Sequence, residues 1–85
     1  MYKVTYQKRA ERTLLKLPGH LVTRIQTKLA QIALNPYARH NNVAKLRDQP
    51  GYRLRVGDWR IIYEIHDDKL IVLVMKIAPR GSVYR

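Results

Sequence analysis

This chain is expected to be an α+β sandwich: one strand, two helices, then three antiparallel strands, with both helices on one face of a four-stranded sheet. Three observations predict it. Apolar residues recur at helical spacing between positions 8 and 34. Apolar and polar residues alternate between 52 and 66. That alternation is cut once, by Gly57-Asp58, the dipeptide of a two-residue hairpin loop.

The elements follow in order. Residues 2–6 (Tyr-Lys-Val-Thr-Tyr) are β-branched or aromatic and alternate, which predicts a short strand. Residues 8–17 predict a helix with Ala10, Leu14 and Leu17 on one side and Lys8, Arg9, Arg12 and Lys16 on the rest. Pro18-Gly19 breaks it. A second helix is expected from about 20 to 34, with Leu21, Ile25, Leu29 and Ile32 in one stripe, ending at Asn35-Pro36. Residues 36–51 read as a long irregular connection, a length that is often functional. Strands are expected at about 52–56, 59–66 and 69–78, the second turn being Asp67-Asp68.

In this register Tyr52, Leu54, Val56, Trp59, Ile61, Tyr63 and Ile65 form one apolar face for the helices to cover. The opposite face carries Arg53, Arg55, Arg60, Glu64 and His66, with Ile62 among them. The last strand is apolar on both sides and is expected in the middle of the sheet. Its outer residues, Ile71, Leu73 and Met75, would stay partly open, as in a groove or a partner-covered surface.

Eighty-five residues read as a single domain, 1–85. Such a chain buries only about 60–65% of its unfolded surface. It has no cysteine, and its three scattered histidines give no metal-site spacing, so neither a metal nor another cofactor is expected. No apolar run is long enough to span a membrane, and the N-terminus lacks a signal-peptide pattern. A soluble, cytoplasmic protein without a membrane partner is the expectation. The net charge is +11, from seventeen Lys/Arg and six Asp/Glu, and it is spread along the chain. This predicts a polyanionic partner: DNA, RNA, a ribosome or an acidic protein.

A two-residue loop sets Arg55 opposite Arg60, with Arg53 on the same face. Like charges placed opposite each other cost roughly 0.2–1 kcal/mol per pair, so the cluster suits an anion that arrives later, such as a phosphate. Arg80 follows Pro79, and the chain ends Arg80-Gly81-Ser82-Val83-Tyr84-Arg85. Tyr63, Trp59 and Tyr52 are expected in the core rather than as base-stacking platforms. Asp58, Asp67 and Asp68 are expected in turns, and Glu64 to neutralise Arg53 or Arg60. His66 lies about 20 Å along the strand from Arg60 and reads as a turn histidine. His40 falls in the long connection and His20 at a helix start. Arg9, Arg12, Arg24 and Lys28 read as solvated, or as unspecific RNA contacts.

Taken together, Lys8-Arg9-Ala10, Leu14-Lys16-Leu17-Pro18, Lys45-Leu46, the run from Gly51 to Ile65, Arg80 and Val83-Tyr84-Arg85 resemble the RelE–ParE superfamily of toxins from toxin–antitoxin pairs, in its RelE branch. The resemblance implies a metal-independent endoribonuclease that cuts mRNA in the ribosomal A site, inhibiting translation. In that chemistry the 2′-hydroxyl attacks the adjacent phosphate, leaving a 2′,3′-cyclic phosphate and a 5′-hydroxyl. Carried over by position, it implies catalytic roles for Arg53, Arg55, Arg60, Arg80 and Tyr84, and RNA contacts at Lys45, Arg47, Arg53, Arg55 and Arg85. It further implies an antitoxin partner, and through it operator DNA. The RelE pattern often has lysine where this chain has Arg53 and Arg55, so no general base is identified. Two other readings remain open: a ParE-like toxin that inhibits DNA gyrase by binding, and a basic RNA-binding module without activity.

Overall fold

The structure is a computed structural model that describes residues 1–80. Its elements are β1 (Lys3–Tyr6), α1 (Lys8–Lys16), α2 (Gly19–Leu34), β2 (Val43–Lys45), β3 (Tyr52–Val56), β4 (Trp59–His66) and β5 (Ile71–Pro79). The predicted α+β class holds. The sheet has five strands rather than four, in the order β1-β5-β4-β3-β2.

The additional strand, β2, forms inside the connection expected to be irregular. Val43-Ala44-Lys45 pairs antiparallel with Tyr52–Leu54. Three residues are too few to show an alternation. What makes them a strand is the edge of β3, whose backbone groups would otherwise be unpaired. The last strand, expected in the middle, is interior but not central: β5 lies between β1, which it pairs in parallel, and β4, which it pairs antiparallel, and the addition of β2 at the far edge makes β4 the middle strand.

The hairpin register is the one the two-residue loop demands, with Val56 opposite Trp59 and Arg55 opposite Arg60. Gly57 supplies a φ of 58° at the first loop position, while Asp58 stays at negative φ, the pattern of a type II′ turn. The next turn differs from expectation. It takes four residues, Asp67 to Leu70, before β5 begins at Ile71. Leu70 adopts a φ of 54°, which its side chain gave no reason to expect.

Both apolar helix stripes and the predicted strand face meet in one core. Ala10 and Leu14 of α1, and Leu21, Ile25, Leu29 and Ile32 of α2, pack on Leu54, Val56, Ile61, Tyr63, Val72, Val74 and Ile77. Trp59, Tyr52 and Ile65 pack against the same cluster, as expected. The Tyr63 ring is fully buried and stacks on Tyr52 at 5.4 Å. Burial pushes its hydroxyl pKa up.

A register shift lies opposite Ile62/Tyr63, where Met75 has no cross-strand partner. This bulge switches the parity of β5: Val74 faces the helices, and so does Ile77 three residues later. At the bulge the Arg9 side chain donates from Nε to the Met75 carbonyl, 2.9 Å away, tying α1 to the sheet. The predicted outer residues Ile71, Leu73 and Met75 are half-buried. Part of that face is closed by Leu46 from the long connection, which with Met75 packs on Ile62 and Ala78. No helix among the described residues is long and apolar enough to cross a membrane.

Candidate nucleic-acid interface

The strand β2 gives out at Val43, opposite Leu54. Beyond it, the edge of β3 is held by one bond, from the Arg55 N–H to the Asn42 carbonyl at 2.9 Å. A groove of about 630 Å³ opens there, between the hairpin tip and α2. Its lining includes Arg55 from β3, Arg60 from β4 and Arg80 beyond β5.

Each arginine is placed by a local rule. Arg55 and Arg60 face each other because the Gly57-Asp58 loop holds two residues. Arg80 is brought alongside because its N–H donates to the Asp58 carbonyl at 2.8 Å, pinning the end of β5 to the hairpin tip. The sheet-borne cations are joined by Arg24 and Lys28 of α2, with Thr23 and Thr27 between them. Arg24 reaches across to the tip: a Cβ built on Gly57 would lie 3.9 Å from its Nη1. Five cations thus line a groove that holds one carboxylate, Asp58. Among the described residues none of these five is within ion-pair distance of an acid.

Of the residues expected to act together, Arg55, Arg60 and Arg80 share this groove. Arg53 does not line it. It faces an adjacent hollow with Lys45 and Arg47, two residues further along β3. Tyr84 and Arg85 lie outside the described residues. Glu64, expected to neutralise Arg53 or Arg60, has its Oε1 3.0 Å from His66 Nε2. His66 therefore has a partner at the far end of β4 and takes no place in the groove. His40 Nε2 lies 2.8 Å from the Asn35 carbonyl, also outside it. Among the described residues no cluster of His, Asp or Glu could hold a metal ion.

The pattern of residues alone leaves Arg24 and Lys28 solvated or in unspecific RNA contacts, and gives Thr23, Thr27 and Asn42 no role. A signal exists in Thr23-Arg24 followed four residues later by Thr27-Lys28, which puts like residues one above the other on a helix. Nothing local says that this row faces the arginines.

Residues 4–84 match the family model for the ParE toxin of type II toxin–antitoxin systems, parDE. The chain belongs to this toxin family. This places it in the RelE–ParE superfamily that its hairpin and terminal residues resembled. The toxin is 24% identical over 79 residues to the mRNA interferase toxin RelE of Escherichia coli (strain K12), covering 93% of this chain and 83% of that protein. Its fold is similar to the isolated E. coli RelE toxin, with a TM-score of 0.81, 26% identity, and coverage of 99% of this chain and 92% of the other. It is also similar to a chain of the archaeal RelE–RelB complex from Pyrococcus horikoshii OT3, with a TM-score of 0.79, 28% identity, and coverage of 96% and 98%.

Proposed function

We propose that this toxin is a ribosome-dependent endoribonuclease that cleaves mRNA in the A site and is held inactive by an antitoxin partner. The observation that carries the reading is the convergence of Arg55 of β3, Arg60 of β4 and Arg80, just beyond β5, on one groove. The name of the RelE relative, an mRNA interferase, supports it.

The chemistry follows from the charge. Attack of a 2′-oxygen on the neighbouring phosphorus builds negative charge on a five-coordinate phosphorus. The O5′ bond then breaks, and a proton must reach the departing O5′. The products are a 2′,3′-cyclic phosphate and a 5′-hydroxyl. Arg60 grips the scissile phosphate, since a guanidinium fork binds two oxygens at once. Arg55, directly opposite, shares the growing charge. Arg80, held at the hairpin tip, stabilises the leaving oxygen. Preorganised donors of this kind contribute roughly 3–4 kcal/mol each. Guanidinium does not give up its proton near neutral pH, so it supplies charge and not a base. The base that takes the 2′-hydroxyl proton, and the donor that returns a proton to O5′, then come from the substrate, bound water or the ribosome. Arg53, with Lys45 and Arg47, holds the RNA backbone in the neighbouring hollow, and Tyr84 stacks on a base.

The test is cleavage of a defined mRNA with and without programmed ribosomes, with 5′ ends mapped. The expected result is cutting only with ribosomes, lowered about 10²–10³-fold in kcat by Arg60→Ala. Tyr84→Ala should also be impaired. Uncut mRNA in every tube would overturn the reading.

A second reading is favoured by two observations, the first being that the matching family model is that of ParE toxins. The lysines often seen in RelE are arginines here, at 53 and 55. A toxin of that kind inhibits DNA gyrase by binding, and a supercoiling assay with no effect on mRNA would identify it.

A further inference from the structure

The chemistry above uses the sheet side of the groove and leaves its helical side without a role. Thr23, Arg24, Thr27 and Lys28 form that side. Each Thr-cation pair is one turn from the other, a rise of about 6 Å. Their groups suit phosphate oxygens: two hydroxyls that donate, one planar fork and one ammonium.

Two rows of cations facing one groove repel each other unless an anion lies between them. In the reading above, the Arg55–Arg60 pair is enough for a single phosphate. A second row, on another layer, fits an anion that repeats, which is what a nucleic-acid strand presents. The opening where β2 gives out leaves the strand a way past the edge of β3.

We propose that Thr23, Arg24, Thr27 and Lys28 form a second phosphate-binding wall that grips the RNA backbone beside the phosphate held by Arg55 and Arg60. This rests on the RNA reading above. The wall positions the strand and does not touch the breaking bond. Its loss therefore weakens binding and leaves the chemical step intact.

The probe is a fluorescent RNA with 2′-O-methyl groups, which lacks the attacking hydroxyl and stays uncut. Its Kd is measured by anisotropy across a salt series. Arg24→Ala/Lys28→Ala should raise Kd about 10-fold at about 0.1 M salt. It should also lower the slope of log K against log salt by about 0.7 for each phosphate that is no longer neutralised. In ribosomal cleavage the same variant should raise KM with kcat unchanged, whereas Arg60→Ala lowers kcat. Arg12→Ala removes one charge from the exposed side of α1, outside the groove, and should barely change Kd. Thermal melts establish that each variant is folded. Wild-type affinity and slope in the double variant, with Arg60→Ala impaired, would overturn the second wall and leave the RNA reading standing. A loss from Arg12→Ala as large as that from the double variant would also overturn it, since only overall charge would matter. Wild-type protein that fails to bind RNA would overturn the RNA reading and this inference with it.

Discussion

Asp67 shows how one turn residue ties distant parts of the chain together. Its carboxylate accepts hydrogen bonds from the Tyr37 and Tyr2 hydroxyls, each 2.7 Å long. These bonds favour the ionised form, so the carboxyl is held below its ordinary range, Tyr37 contributing most. The same bond pushes the Tyr37 hydroxyl up to about 12. A lowered carboxyl pKa adds stability above its unfolded value, and that stability is lost as pH falls through the folded value. A raised tyrosine pKa adds stability below about 10, lost as pH rises through the folded value. Urea melts should therefore show Asp67→Asn losing part of the wild-type fall in stability at acid pH. Identical pH profiles would remove this role from Asp67. Two glycines in turns make a second comparison. Gly51 has a φ of 112°, and a Cβ there would lie 2.8 Å from the Tyr63 carbonyl oxygen. Gly57 has a φ of 58°, and a Cβ there would meet only the Arg24 Nη1 atom, at an ordinary contact distance of 3.9 Å. Gly51→Ala should cost about 2 kcal/mol or more, from strain and collision together, and Gly57→Ala about 1 kcal/mol, from strain alone. Equal losses in denaturant titrations would mean that the close approach at Gly51 is not the cause.

Among the elements, the connection between α2 and β3 departs most from its local pattern. It contributes β2 to the sheet edge and sends Leu46 onto the outer face, against Ile62 and Met75. A bond from the Leu46 N–H to the Gly51 carbonyl, 3.0 Å, closes the segment between them. Leu46 is half-buried, so Leu46→Ala should cost about 1–2 kcal/mol, less than a fully buried leucine. Hydrogen exchange at Leu46 should speed up more than at Ile61 in the core. Leu29 is the contrasting case, fully buried in the stripe of α2. Leu29→Ala should cost about 2–5 kcal/mol and unfold the domain as a unit. A smaller loss from Leu29→Ala than from Leu46→Ala would reverse this assignment of where stability resides.

At the scale of the molecule, the described residues carry ten of the eleven net positive charges, all but that of Arg85, within 31 × 27 × 25 Å. Seventeen Lys/Arg face only six Asp/Glu, one of which, Glu64, lies against His66, so acids are too few to cancel the excess. Such a surface repels itself and attracts polyanions from a distance. Raising sodium chloride from about 0.1 to about 1 M shortens the Debye length from about 10 to about 3 Å. The Tm of the free protein should rise over that range, while RNA affinity falls. A flat Tm would show that self-repulsion does not limit stability. The two responses share a cause: the charge arrangement that binds RNA is what the fold has to tolerate in its absence.

Much of the fold was legible in the order of residues, because it depends on neighbours within a few positions. The stripe Leu21, Ile25, Leu29, Ile32 makes one helix face, and the alternation from Tyr52 to Ile65 makes one sheet face. Gly57-Asp58 sets the hairpin register, and with it the meeting of Arg55 and Arg60. Three features needed the folded chain. Val43–Lys45 is a strand because the edge of β3 needs a partner, and the four-residue turn at Asp67–Leu70 put Leu70 where its side chain gave no hint. Arg53 and Arg55 are two residues apart and on one face, yet they address different hollows, because β2 covers β3 as far as Leu54 and no further. Arg24 and Lys28 lie about thirty positions from Arg55, and only the packing of α2 across the sheet turns them toward it. Periodicity and turn chemistry act over a few residues and are written locally. Which distant side chains share a groove is decided by how the layers close over the core.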